Sequence, residues 1–238
     1  MPHSRRDPAR RLHHITARGN DRRSIYEDAT DRERFYDILA RALDGTAVVC
    51  HQDVQMGNHY HLVLEGAAED VSHVLWALNH RYAVSYNARH RCSGHLFGRR
   101  YHSAPIADLA GARALVVYVA LNPVRAGFVD DPRDWAYGSF RAQIGAEAPR
   151  PRLGSGLVDR IFDARTSLAD ACAAALAEGT GGRPSLATLM PKPSELTRAH
   201  VTQAAKIFGF GVEDVAAYYR VSTRTLSRWL AASGDRTG

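Results

Sequence analysis

Met56-Gly57-Asn58-His59-Tyr60-His61-Leu62-Val63-Leu64-Glu65 is the stretch on which the reading of this chain turns. Its apolar end, Leu62 to Leu64, is made of good strand formers, so His59 to Glu65 is predicted as a β-strand. Side chains two apart on a strand point the same way. His59 and His61 therefore share one face, and Tyr60 takes the other. Two imidazoles whose Cα atoms lie roughly 6.6 Å apart can converge on one divalent metal. A lone His-x-His is more often one packed ring and one ring in water, so partners elsewhere in the chain must decide. Glu65 shares the histidine face, but four strand residues carry it roughly 13 Å past His61, too far for a ligand.

Outward from this strand, Ala47 to Met56 reads as a preceding strand. The Gly57-Asn58 turn makes the two a hairpin. Leu12 to Arg18 reads as the first strand, closed by the turn signal Gly19-Asn20-Asp21. Between them, Phe35, Ile38, Leu39, Ala42 and Leu43 form the stripe of an amphipathic helix over Asp31 to Leu43, with Thr30 or Asp31 as N-cap. Downstream, Val71 to His90 repeats apolar residues at helical spacing. Gly94 to Ile106, basic and aromatic, reads as a turn and a short strand. Its interleaved Arg and aromatic residues suit a grip on single-stranded nucleic acid, and equally an edge strand with solvated arginines. Leu109 to Gly127 reads as a further helix that Asn122-Pro123 breaks or bends and Gly127 ends. Tyr118 and Asn122, four apart, fall on nearly one helical face. By itself Tyr118 is also compatible with an ordinary core aromatic.

This order of elements implies an α+β fold: a ferredoxin-like antiparallel sheet with helices on one face, spanning residues 1–143. Trp135, Tyr137 and Phe140 are expected to pack its tail. Residues 144–196 read as a linker holding one helix, Leu157 to Ala177. Residues 197–238 read as an all-α helix-turn-helix region. There Ala216 suits a close helix crossing, Val221 the turn, Ser222 an N-cap, and Leu226, Trp229 and Leu230 the inward face. Thr223, Arg224, Ser227 and Arg228 are left for DNA. Arg220 stands where such motifs usually carry Gly, so a helical hairpin that only packs is the competing reading.

The composition bounds the partners. The chain has 238 residues, 45% of them apolar, which is enough for a real core. Its formal charge is +6 and its pI about 9.5, and only two lysines occur, Lys192 and Lys206. Arginine forks suit phosphate, so nucleic acid leads, although a GC-rich genome also replaces Lys with Arg. Cys50, Cys92 and Cys172 are odd in number and contain no Cys-x-x-Cys, which fits a reducing cytoplasm. No signal peptide or run of about 18 apolar residues is visible, so no membrane partner is expected.

Met56 to Glu65, followed by Tyr118-Val-Ala-Leu-Asn-Pro-Val-Arg-Ala-Gly127, resembles the single-tyrosine HUH transposases, in particular the REP-associated tyrosine transposases of the insertion-sequence-200-like family. Supporting segments are Ile15 to Asn20, Gly98 to Tyr101 and Trp135 to Phe140, and the likeness runs over about residues 12–143. The resemblance implies that His59, His61 and Asn122 are metal ligands and Tyr118 the nucleophile. Tyr60 replaces the usual hydrophobic residue between the histidines and faces away. The implied cofactor is a divalent metal, Mg2+ or Mn2+, and the implied partner is single-stranded or hairpin repeat DNA. The implied setting is a bacterial cytoplasm, nucleoid-associated on DNA, with a monomer or homodimer. Tyr118 would form a 5′-phosphotyrosine and free a 3′-hydroxyl, exchanging one phosphodiester for another without a nucleotide cofactor. Arg18, Arg22, Arg23, Arg99 and Arg100 are expected phosphate contacts by charge and position. The alternatives are a DNA-binding regulator that keeps the fold without the chemistry, and a hydrolase that activates water.

Overall fold

The computed structural model describes residues 10–98, 100–106, 108–150, 154, 156–162, 167–178 and 212–232. Four strands form one sheet: β1 (Arg11–Arg18), β2 (Val49–Gln55), β3 (His59–Gly66) and β4 (His102–Pro105). Their spatial order is β2-β3-β1-β4 and every neighbouring pair is antiparallel. This is the split strand-helix-strand plan of the ferredoxin-like sheet expected from the sequence. The His-x-His strand is therefore interior, bonded on both edges.

Two helices cover one face. α1 (Ala29–Leu43) is capped by Asp28, whose side chain accepts from the Asp31 backbone N–H at 3.1 Å. The expected caps Thr30 and Asp31 lie inside the helix instead. Asp31 is buried and paired with Arg89 and His90 at 2.6 and 2.9 Å, an ion pair that sequence periodicity does not reveal. α2 (Ala68–His90) packs beside α1. Tyr60, Leu62 and Leu64 of β3 and Ile15 and Ala17 of β1 meet these helices in one apolar cluster.

The opposite face is covered as well, which corrects the expectation of helices on one face only. α3 (Leu109–Ala120) starts at Asp108, whose side chain accepts from the Gly111 N–H at 2.7 Å. Nearly every residue of α3 is buried, so its sequence reads as apolar all round and gives no hint of which sheet face it takes. Val54 and Val63 of the sheet pack with it in a second cluster. The helix stops at Ala120, and a short α4 (Asn122–Arg125) follows with Pro123 in its first turn, the break anticipated at Asn122-Pro123. Gly127, at φ 70°, closes α4.

α5 (Phe140–Gln143) ends the region next to the sheet: Ser139 Oγ accepts from the Asp53 N–H at 2.9 Å. The single helix expected over Leu157 to Ala177 is two, α6 (Gly156–Ile161) and α7 (Leu168–Glu178), both packed into the α3 cluster. α8 (Val212–Tyr219) and α9 (Thr223–Ala232) join the same cluster through Val215, Ala216 and Leu226. Arg220 between them holds φ 56°, and Ser222 Oγ accepts from the Thr225 N–H at 3.1 Å as an N-cap does. The beginning of the expected 197–238 region lies outside the described residues. No described helix is long and apolar enough to cross a membrane.

Candidate active site

Strand parity delivers the first two groups. Val63, which shares the parity of His59 and His61, packs in the α3 cluster, so both imidazoles face α3. Their ring centroids are 5.0 Å apart. Across the β1–β3 pair, Thr16 stands opposite His61 and Arg18 opposite His59. This register brings in a third imidazole that sequence reasoning missed. His14 Nε2 lies 2.9 Å from His61 Nδ1, and the two rings stack at 5.1 Å, 4° from parallel. Thr16 Oγ1 is 3.1 Å from the same Nδ1. The available signal was the His14-x-Thr16 alternation on a strand antiparallel to the histidine strand, which shows nothing until the register is known.

The second pair of groups comes from α3 and α4. The Tyr118 ring stands edge-on to both stacked imidazoles, 6.0 Å from His61 and 6.1 Å from His14. Arg125, seven residues on at the end of α4, lays its guanidinium over the Tyr118 ring at 4.6 Å. Asn122 is buried, and its Nδ2 donates to the Tyr118 carbonyl at 2.9 Å. That bond uses the amide nitrogen and leaves the amide oxygen outside it.

Burial decides the charge of the site. Desolvation, with the field of Arg18 added, pushes His59 down to about 4. His61 is held well below the usual imidazole range by burial and then by His14, His59, Arg125 and Arg18. His14 falls to about 3 through burial and the field of His102. At neutral pH all three rings are uncharged and carry lone pairs.

A divalent ion can be tested against these atoms. His59 Nδ1 is 2.7 Å from Asn58 Oδ1, an arrangement in which Nδ1–H donates and Nε2 keeps the lone pair. His61 Nε2 is buried and has no hydrogen-bond partner. An orphaned imidazole nitrogen, a second with its tautomer fixed and an amide oxygen fit one divalent cation. Among the described residues no group of three or more His, Cys, Asp or Glu could hold a metal. His14 turns its Nε2 to His61 Nδ1, and its Nδ1 is likewise buried without a hydrogen-bond partner.

The remaining expected residues are scattered. Tyr60 faces α2 and donates to Asn79 at 2.7 Å. Glu65 pairs with His51 and Arg160 at 2.8 and 3.0 Å. Arg18 and Arg22 are exposed, and the Arg22 carbonyl accepts from Asn58 Nδ2 at 2.9 Å, which ties its loop to the turn before His59. Arg23 is turned to the Tyr86 ring of α2, at 5.6 Å. Arg100 is exposed just before Tyr101, which bonds to Ser72 of α2, and Arg99 lies outside the described residues. Thr223, Arg224, Ser227 and Arg228 are all exposed on α9.

Residues 10–121 match the family model described as "Transposase IS200 like". No curated protein matches the chain. Among solved structures, a REP-associated tyrosine transposase bound to a REP hairpin is 16% identical, with a TM-score of 0.48 over 68% of this chain and 94% of that one.

Proposed function

From the match of residues 10–121 to the IS200-like transposase family we propose that the protein nicks and rejoins single-stranded or hairpin repeat DNA through a tyrosine nucleophile. The observation that carries this reading is the Tyr118 ring set 6.0 Å from His61, across the space between α3 and the sheet.

In this reading the Tyr118 hydroxyl gives up its proton and attacks a backbone phosphorus. A Tyr118 O–P bond forms while the bond from phosphorus to the 3′ oxygen breaks, and the departing electron pair leaves with that oxygen, which takes up a proton. The products are a 5′-phosphotyrosine and a free 3′-hydroxyl. Rejoining is the same exchange run with a second 3′-hydroxyl, so one phosphodiester replaces another and no nucleotide is consumed. His59, His61 and Asn122 would hold a divalent ion, Mn2+ or Mg2+. The chemistry it supplies when bound is withdrawal of charge from a non-bridging phosphate oxygen. Two nitrogens and one oxygen suit Mn2+ at least as well as Mg2+.

The residues around this centre have separate tasks. Asn58 fixes the His59 tautomer, and His14 with Thr16 fixes His61. Arg125 holds the Tyr118 ring and sets a positive charge where a phosphate would lie. Arg18 and Arg22 would meet neighbouring phosphates of the strand. The outward residues of α9, Thr223, Arg224, Ser227 and Arg228, would contact the duplex part of the substrate. Neutral imidazoles beside these arginines make a site of net positive potential.

The test is incubation of the full chain with single-stranded hairpin DNA from around its coding region, plus MnCl2. A denaturing gel and mass spectrometry should show a nucleotide adduct on Tyr118. Tyr118→Phe should abolish the adduct and leave DNA binding within about threefold, because only one hydroxyl is removed. An adduct in that variant takes Tyr118 out of the role. Free 5′-phosphate without an adduct indicates a hydrolase, and binding without cleavage indicates a regulator.

A further inference from the structure

Four large apolar side chains are exposed among the described residues: Trp76, Val84, Leu109 and Phe128. Trp76 and Val84 lie on α2, on the sheet face away from Tyr118. Leu109 opens α3, nine residues and roughly 13 Å before Tyr118. Phe128 follows α4, three residues after Arg125, and reaches the Gly57 turn that precedes His59.

Its position is fixed from three sides. Gly127 at φ 70° turns the chain out of α4, and the Phe128 N–H donates to the Pro123 carbonyl at 3.0 Å, a C-terminal cap that ties Phe128 to the helix carrying Asn122 and Arg125. One side of the ring is stacked on Trp135, with centroids 5.2 Å apart and planes at 11°. Trp135 is itself held, because its Nε1 donates to the Gln55 carbonyl at 3.1 Å and Arg32 lies over its ring at 5.6 Å. The tip of the Phe128 ring would be 4.0 Å from a Cβ placed on Gly57. Gly57 directly precedes Asn58, the residue that orients His59.

A rigid aromatic ring is thus braced behind by an indole, and half of the residue (51%) remains in water between the turn that anchors His59 and the helix that follows Tyr118. Positive charge lies on the neighbouring elements: Arg125 over Tyr118, Arg18 opposite His59, and exposed Arg22 in the loop whose backbone bonds to Asn58. An aromatic platform lined by cations has the chemistry that takes a nucleobase of a single strand, face to ring, with its phosphates on the arginines.

We propose that Phe128 is the stacking platform for an unpaired base of the strand whose phosphate enters at Tyr118, so that it sets which phosphate faces the nucleophile. The inference rests on the reading of the protein as a single-strand DNA transesterase and adds a positioning contact to it. Stacking needs a base and not merely a sugar-phosphate chain, which separates it from a structural effect.

The experiment measures fluorescence polarisation of the full chain with labelled hairpin DNA from around the coding region, its single-stranded flank either intact or built of abasic nucleotides. Phe128→Ala should weaken binding of the intact flank by between about 5- and 150-fold. Phe128→Tyr should bind as the wild type does, and neither variant should change affinity for the abasic flank. Phe128→Ala binding the intact flank within twofold of wild type overturns the inference. An equal loss on both flanks overturns it too, by showing a structural effect. If the wild type binds neither DNA, the transesterase reading itself fails and takes this inference with it.

Discussion

His14 offers the sharpest test of how the imidazole set is built. Its Nε2 sits 2.9 Å from His61 Nδ1, so when that bond runs from His61 to His14 the lone pair of His61 is confined to Nε2, the nitrogen left without a partner. Replacing His14 by Phe keeps a ring to stack on His61 but removes the acceptor. Losing such a partner behind a metal ligand costs roughly 10- to 100-fold in metal affinity, about 1.4 to 2.7 kcal/mol. Thr16 Oγ1, 3.1 Å from the same Nδ1, can take over part of the acceptor role. The single variant should therefore fall near the tenfold end and His14→Phe with Thr16→Val near the hundredfold end. Titration calorimetry with MnCl2 on the purified chain reads the affinity, and a thermal melt confirms that the fold is kept. A double variant whose Mn2+ affinity stays within twofold of wild type refutes the positioning role. Complete loss of binding in His14→Phe alone refutes it in the other direction, by making His14 a ligand.

Asp53 is buried, and burial pushes its carboxyl up to about 6, with Tyr36, Arg150 and Ser139 opposing in part. Because this lies above the ordinary 3.8, its contribution to stability is full below pH 4 and lost as pH rises through about 6. Asp53→Asn should therefore gain on the wild type across that window and level off about 3 kcal/mol above it. Urea unfolding at pH 4, 6 and 8 checks this, and a pH-independent difference contradicts it. Arg220→Gly relieves a non-Gly residue at φ 56° and should stabilise the α8–α9 pair by about 1 kcal/mol, read as slower amide exchange in residues 212–232. A Cβ on Gly19 would overlap the Arg23 carbonyl and press on Ile25, so Gly19→Ala should cost roughly 1–3 kcal/mol and lower the melting temperature.

Much of the fold could be read because strand and helix periods are local. The four strands and first two helices fall within a few residues of their expected bounds, and the β2–β3 pairing follows from their short turn, whereas β1 meets β3 and β4 across intervening helices. The misses have specific causes. The N-cap of α1 shifted to Asp28 because Asp31 is recruited by Arg89 and His90, about 60 residues away in sequence. The second helical layer was missed because α3 is buried nearly all round and so lacks a polar face to mark its orientation. His59 and His61 were legible from alternation alone, while His14 needed the antiparallel register that sets Thr16 opposite His61. Arg125 and Phe128 depend on how α4 leaves α3 after Leu121, a change of direction that Asn122-Pro123 announces without giving its angle.

The second helical layer also bears on why the chemistry sits where it does. Had the helices covered only the Tyr60 face, His59 and His61 would open to water, stay near their ordinary imidazole range, and compete with solvent for a cation. With α3 packed over them their charged forms are penalised, His59 falling to about 4 with the field of Arg18 added. The same layer carries the phenol of Tyr118 to 6.0 Å from His61 and the amide of Asn122 one turn beyond, so desolvation of the imidazoles and placement of the proposed nucleophile are one packing event. Substitutions that loosen α3 from the sheet, at Val54 or Val63 for instance, should therefore weaken metal affinity and adduct formation together. Substitutions on the Tyr60 face, at Leu62 or Leu64, should lower stability first and leave the ratio of those two activities unchanged.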